Sequence, residues 1–164
     1  MLRTAFLSLL SAALTVAQSV PKFEQFSTGA KFVGIPATPV LTTPRSRLFR
    51  TAIRDGAKKG PNFAGHFTVV TWGCGSECAG AELVDAQTGG VFDFPFDYLG
   101  WALPGERYPD GSNWIDLNFR WLDFRSDSRL MIVRGCPHDK DCGVYYYEWT
   151  GTQFHLLSAQ KVAR

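Results

Sequence analysis

Two stretches of the chain repeat one order of elements, and each carries a pair of cysteines at the same place in that order. In the first, Thr68-Val69-Val70-Thr71-Trp72-Gly73-Cys74 is followed by Cys78, then by Leu83-Val84-Asp85, Thr88-Gly89 and Val91-Phe92. In the second, Leu130-Met131-Ile132-Val133-Arg134-Gly135-Cys136 is followed by Cys142, then by Tyr145-Tyr146-Tyr147, Thr150-Gly151 and Phe154-His155-Leu156. Each half reads strand, Gly-Cys, short loop, Cys, strand, Thr-Gly turn, strand. Such a duplication constrains the chain to a sheet of two β-meanders. Two units are too few to close a propeller.

Four cysteines allow three pairings. The repeat favours Cys74–Cys78 and Cys136–Cys142, because each pair then clamps the tip of its own hairpin, where facing Cα atoms sit within disulfide reach. Loops this short add only about 2 kcal/mol each by loop entropy. Their larger value is in holding Gly75-Ser76-Glu77 and Pro137-His138-Asp139-Lys140-Asp141 in one shape, which lowers the entropy lost on binding. Three rivals stand beside this pairing: bridges exchanged between the two loops, a four-cysteine zinc site, and a catalytic thiol with His66 as its base.

The rest of the chain frames the repeat. Met1-Leu2-Arg3 is a short basic start, residues 4–16 are apolar, and Thr15-Val16-Ala17 offers a small-residue exit. These are the parts of a secretory signal, cleaved after residue 17. The apolar run is shorter than the ~20 residues that span a bilayer, and no later segment is apolar enough to do so. A soluble, periplasmic or secreted protein is expected, in a compartment where disulfides persist. Residues 18–43 are poor in charge and punctuated by Gly29, Gly34, Pro36 and Pro39, which predicts an extended arm with an edge strand near 31–35. Thr43-Pro44 then supplies an N-cap and a proline at the first helical position. Leu48, Phe49, Ala52 and Ile53 recur at helical spacing, predicting one helix over 44–58 stopped by Gly56 and Gly60. Strands are expected at 66–72, 81–85, 91–94, 118–124, 130–134, 144–149 and 153–157, with turns at 87–90, 126–128 and 150–152. Residues 95–114 lack periodicity and predict a long loop.

Composition bounds the function classes. A chain of 164 residues with 45% hydrophobic and 14% aromatic content is too apolar to be disordered and fits one ordinary domain. A formal charge of +2 provides no field for nucleic acid. Arg47, Arg50, Arg54 and Lys58 lie along one helix face and read as a solvated surface. No glycine-rich phosphate loop opens a helix, so no cofactor is expected. No metal is expected either. Asp110-Gly111-Ser112-Asn113 through Asp116 lacks the ligand order of a calcium hand, and His138 beside Asp139 and Asp141 reads as a polar loop. Ser76 precedes a strand instead of a helix, so it fails the nucleophile-elbow context. His155 has no partner in sequence. His66 reads as a hydrogen-bonded histidine at the sheet edge, with Asn62 closing a turn. Tyr145, Tyr147 and Trp149 share one strand face, with Tyr146 opposite, and rings of that size belong mostly to a core.

Gly60-Pro61-Asn62-Phe63-Ala64-Gly65-His66-Phe67, followed by Trp72-Gly73-Cys74-Gly75 and Cys78, resembles a signature of small exported bacterial proteins of unknown function. Leu83-Val84-Asp85 and Thr88-Gly89 fit the same pattern, so the resemblance covers roughly residues 60–95. It implies an extracytoplasmic setting and transfers no activity, cofactor or catalytic residue.

These readings converge on a β-rich α+β domain over 44–164, with one N-terminal helix packed on a mostly antiparallel sheet built from two cysteine-clamped meanders. The expected function is a non-catalytic binding module, an inhibitor or protective partner of an envelope or extracellular protein. Its surface would combine Ser76, Glu77, His138 and Asp139 of the clamped loops with Trp101, Tyr108 and Trp114 of the long loop. Two alternatives come from other classes. One is a small envelope hydrolase using His66 with Glu77 or Asp85. The other is a domain that binds peptidoglycan or another glycan.

Overall fold

The structure, a computed structural model, describes residues 19–102 and 107–162. The expected signal segment, 1–17, and residues 103–106 of the expected long loop lie outside the described residues. Two short helices, α1 (Pro44–Leu48) and α2 (Arg50–Ala57), precede eight strands. These are β1 (Phe67–Gly75), β2 (Cys78–Asp85), β3 (Val91–Asp93), β4 (Leu99–Gly100), β5 (Leu122–Phe124), β6 (Leu130–Pro137), β7 (Gly143–Trp149) and β8 (Phe154–Lys161). The sheet runs β1-β2-β4-β6-β7-β8, with β3 also on β2 and β5 also on β6. Every pairing is antiparallel. The β-rich α+β reading therefore holds, with β1–β2–β3 and β6–β7–β8 as the two meanders.

Alternation along the strands sorts side chains onto two faces. Phe67 and Val69 of β1, Ala81 and Leu83 of β2, Met131 and Val133 of β6, and Tyr145, Tyr147 and Trp149 of β7 meet in one central core. Fully burying residues of this size contributes roughly 1.5–3 kcal/mol each, so this cluster dominates the stability of the domain. The aromatic stripe of β7 is thus core, as its spacing predicts. Residues of opposite parity face outward and are covered separately. Val70 and Val84 pack under Ile53 and Ala57 of α2, with Phe49, Trp72 and Leu41 around them. Leu130, Ile132, Val144 and Tyr146 pack under Tyr108, with Phe23, Phe26, Trp114 and Phe119 around them.

The helical region departs from a single helix. Thr43 caps it as expected, its hydroxyl accepting from the Ser46 amide at 3.0 Å. The chain then turns at Phe49 (φ −97°, ψ 21°) and restarts. That turn lays the Phe49 ring on Trp72, centroids 4.3 Å apart. Gly56 lies inside α2 and is not a stop signal: a Cβ there would come within 2.5 Å of Val70, so glycine allows the helix to close onto β1. Gly60, at φ +83°, is the true terminator.

The arm also differs from expectation. No strand forms at 31–35, and Val33 and Ile35 point into solvent. Residues 23–26 form a 3₁₀ turn instead. From there the arm crosses the domain through single backbone bonds: Thr28 to Asp127, Phe32 to Gly65, Ala37 to Ala86 and Val40 to Gly89. The long loop, in turn, contains β4. Two residues without alternation give no strand signal, yet they join the two meanders.

Candidate functional site

Both disulfides form in the repeat-favoured pairing, Cys74–Cys78 and Cys136–Cys142, with Cα atoms 5.2 and 3.9 Å apart. No cysteine is free. The exchanged pairing, the zinc site and the catalytic thiol are thereby excluded. Among the described residues no group of three or more His, Cys, Asp or Glu could hold a metal ion.

The two clamps are not independent. Gly100 of β4 pairs with Cys78 on one side and with Cys136 on the other. Leu99 pairs likewise with Ala79 and Pro137. Outside the ladder, the Trp101 amide donates to Glu77 O at 3.2 Å and the His138 amide to Tyr98 O at 3.3 Å. Each clamped loop is thus bonded to the segment running between them. The fit is close. A Cβ on Gly100 would lie 2.9 Å from Asp139 Oδ1, and one on Gly135 would lie 2.7 Å from Gly100 O.

This tip also holds unusual backbone. Among the described residues, five non-glycine residues have positive φ, and four of them are here: Glu77 (55°), His138 (54°), Asp139 (57°) and Asp141 (48°). Left-handed conformations cost free energy in ordinary residues and persist where surroundings over-determine them. Here the disulfides and β4 supply that constraint. Ser76, Glu77, Asp97, Tyr98, His138 and Asp139 are exposed. The His138 ring meets Tyr98 edge-on at 5.4 Å, and its Nε2 lies 3.7 Å from Asp97 Oδ2. Four exposed carboxylates lie at this tip (Glu77, Asp97, Asp139, Asp141), with Lys161 Nζ 3.4 Å from Asp141 and Arg45 Nη1 4.0 Å from Asp97.

The aromatic half of the expected surface is mostly structural. Tyr108 is buried, donates from its hydroxyl to Trp101 O at 2.7 Å, and stacks on Phe119. Burial raises its phenol well above the ordinary value, with Asp110 adding to the rise. Trp114 is half-buried in the same outer cluster. Trp101 is half-buried and stacked on Trp121 at 5.7 Å. Tyr108 is therefore corrected from ligand contact to core, because the outer face of β6–β7 needs a cover.

Of the two expected hydrolase pairs, one is brought together. His66 and Asp85 stand together, Nε2 to Oδ1 3.8 Å, but Glu77 lies just beyond the far end of the nine-residue β1, roughly 30 Å away along the strand. Asp85 is already committed to a turn, accepting from Gln87 N at 2.8 Å and Thr88 Oγ1 at 2.7 Å. The segment 62–67 is structural in several parts. Asn62 caps the edge of β1, accepting from Val69 N at 2.8 Å and donating to Val69 O at 3.3 Å. Phe63 and Phe67 close a three-residue turn through Ala64 (φ 46°) and Gly65 (φ 82°).

One charged residue escaped the sequence reading. Glu82, in the middle of β2, is fully buried, and neither carboxylate oxygen accepts a hydrogen bond among the described residues. Arg45 Nε lies 3.3 Å away, and its guanidinium also reaches the Asp97 carbonyl and the faces of Phe49 and Trp72. Burial pushes the Glu82 carboxyl up to about 7, Arg45 opposing and Asp93 assisting. The available signal was its parity: an acid flanked at i±2 by Gly80 and Val84 on a face that a helix covers. No family model, curated protein or solved structure matches the chain.

Proposed function

We propose that this chain is an exported, non-catalytic binding module that presents its double-clamped tip to a cationic segment of an envelope or extracellular protein. The observation that carries the reading is Gly100, paired on both sides with half-cystines, which makes the two clamped loops one platform. A platform fixed before binding loses little entropy on association. Its four exposed carboxylates on a chain of net charge +2 supply charge complementarity and steering. Disulfides belong to oxidising compartments, and no described helix is long and apolar enough to cross a membrane. Both fit export, as does the resemblance to small exported bacterial proteins.

A photo-crosslinker placed at Ser76 of the oxidised protein tests this. Specific crosslinks to a protein partner through a basic segment are expected. They should disappear in a Glu77→Lys, Asp139→Lys double variant and on reduction. Crosslinking that survives both treatments rejects the tip as the recognition surface. Adducts to glycan alone would move the function to the glycan-binding class.

A further inference from the structure

The outer edge of β1 is paired over its first residues and then left open. His66 O accepts from Ala86 N at 2.8 Å, so the even-numbered residues of β1 bond β2 and the odd-numbered ones turn their backbone groups outward. Phe67 is met by Phe63, which bonds both its amide and its carbonyl, at 3.0 and 2.9 Å. Val69 is met by the side chain of Asn62. That carboxamide accepts from Val69 N and donates to Val69 O, the two bonds a neighbouring strand residue would make. The next outward residues, Thr71 and Gly73, are exposed, and their backbone groups have no protein partner among the described residues. β5 has an open edge of its own. Trp121 O accepts from Arg134 N at 2.8 Å, which turns Asp123 toward β6 and the backbone groups of Leu122 and Phe124 away from it. These too have no protein partner among the described residues. Both edges open on one groove of about 520 Å³, with Asp55 and Lys59 at the end of α2 as its third wall.

The groove constrains what can fill it. A row of open backbone donors and acceptors is matched by another extended backbone. Leu122 is 8% exposed, and the backbone groups of so buried a residue are ordinarily paired. The opening on β1 is only two outward residues long and is recessed between α2 and β5, so it admits one strand and not the edge of a second sheet. Asp55 is held by Lys58 Nζ at 2.9 Å, which leaves Lys59 as a lining cation with no counter-ion among the described residues. Val69, Leu122 and Phe124 supply apolar surface beside it. We propose that this groove takes an extended, acidic peptide segment of another protein as an added strand. The segment continues the pairing that Asn62 begins, bonding Thr71 and Gly73 through its main chain. One apolar side chain lies toward Leu122 and Phe124, and a carboxylate lies toward Lys59. The groove adjoins the clamped tip below Cys74 but uses none of its carboxylates, and it does not depend on the tip as a recognition surface.

The test is selection on the oxidised protein from displayed random peptides of about eight residues, within the ordinary length of a strand. Amide hydrogen exchange of the complex with a selected, synthetic peptide then locates it. Selected peptides should be poor in proline, apolar at alternate positions and acidic. Their binding should slow exchange at Thr71 and Gly73 about tenfold or more. Gly73→Pro removes one outward amide, at a position where a Cβ would meet nothing within 4 Å. It should weaken binding about tenfold while leaving the β1–β2 ladder intact. Lys59→Glu, at an exposed position, should weaken it about fivefold, and less at high salt. The Glu77→Lys, Asp139→Lys double variant should bind at least as tightly as the parent. If Gly73→Pro does not fold, exchange at Thr71 and Gly73 together with Lys59→Glu decides. The proposal fails if no peptide is selected, or if bound peptide leaves Thr71 and Gly73 exchanging as in the free protein. It also fails if both single variants bind unchanged. Selected peptides that are basic and lost in the double variant would place binding at the tip instead. Protection of Thr71 and Gly73 that rises with protein concentration alone would assign the groove to a second copy of the chain.

Discussion

The outward faces of the two clamped hairpins occupy matching positions and solve the same covering problem with opposite chemistry. Counted back from the first cysteine of each pair, Thr68 corresponds to Leu130, Val70 to Ile132 and Trp72 to Arg134. Across the hairpins, Val70 faces Glu82 where Ile132 faces Tyr146, and Thr68 faces Val84 where Leu130 faces Glu148. The first face therefore carries two polar side chains beneath its cover, Glu82 and Thr68. The second is apolar in the middle and charged at its rim. At that rim Arg134 bonds Asp110 at 2.6 Å, reaches the Arg120 carbonyl at 3.3 Å and lies 3.9 Å from Asp123. Burial pushes Asp110 up, but hydrogen bonds from Ser112 and Arg134 outweigh it and hold the carboxyl below its ordinary value. Loops can bend to bond a rim charge from several sides, whereas the helical cover brings Arg45 of α1 to 3.3 Å from Glu82 without a hydrogen bond to either carboxylate oxygen among the described residues. The duplication thus preserved strand geometry and left the chemistry of each face to whatever covers it.

Cutting the rim pair of the second face should have the largest effect. Arg134→Met leaves Asp110 charged in a site where both side chains are under a fifth exposed. A loss of about 3 kcal/mol is expected in urea unfolding at pH 7. The corresponding cut on the first face, Arg45→Met, should cost less, about 1 kcal/mol below pH 6, because Glu82 then takes up a proton instead of remaining charged. Equal losses would erase the distinction between the faces.

Glu82 sharpens the comparison through pH. Its carboxyl is raised from 4.5 to about 7 in the fold, so folding favours the protonated form. The stability this provides is complete below pH 4.5 and is lost as pH rises through about 7. Glu82→Gln keeps the shape of the protonated side chain without the charge. It should match the parent near pH 4 and exceed it by about 2 kcal/mol at pH 8. A parent whose stability does not fall across that interval, or a variant that falls with it, would show that the carboxylate is not the source.

The same contrast explains what could be read in advance. Period-two alternation and the cysteine spacing placed both hairpins and both bridges, because those features are local and repeated. The helix start was legible from Thr43-Pro44, but the turn at Phe49 was not, since it answers to Trp72 across the domain. Residues 99–100 are too few to alternate, so β4 could not be seen, and with it went the joining of the two loops. Glu77 and His66 were grouped by chemistry alone, and only the length of β1 separates them. Tyr108 read as a ligand contact because nothing in the chain announces that the outer face of β6–β7 is covered by a loop instead of a second helix. Trp149 was legible as core by parity.

An equally small effect is expected from the other polar side chain beneath the first face. Thr68 is 1% exposed and its hydroxyl has no hydrogen-bond partner among the described residues. Its counterpart, Leu130, is wholly apolar and wholly buried. Thr68→Val replaces the hydroxyl with a methyl group of similar volume, makes this position resemble the second hairpin, and leaves the β1–β2 ladder intact. Removing an unpaired buried hydroxyl should stabilise the domain by about 1 kcal/mol, independent of pH, and should add to the gain from Glu82→Gln at pH 8. Additivity is the informative part, because both residues occupy one face beneath one helix. If the gains fail to add, Thr68 and Glu82 share one local environment, and relief of either relieves both. If Thr68→Val is destabilising, its hydroxyl has a partner, and the unpaired polar group beneath the first face reduces to Glu82 alone.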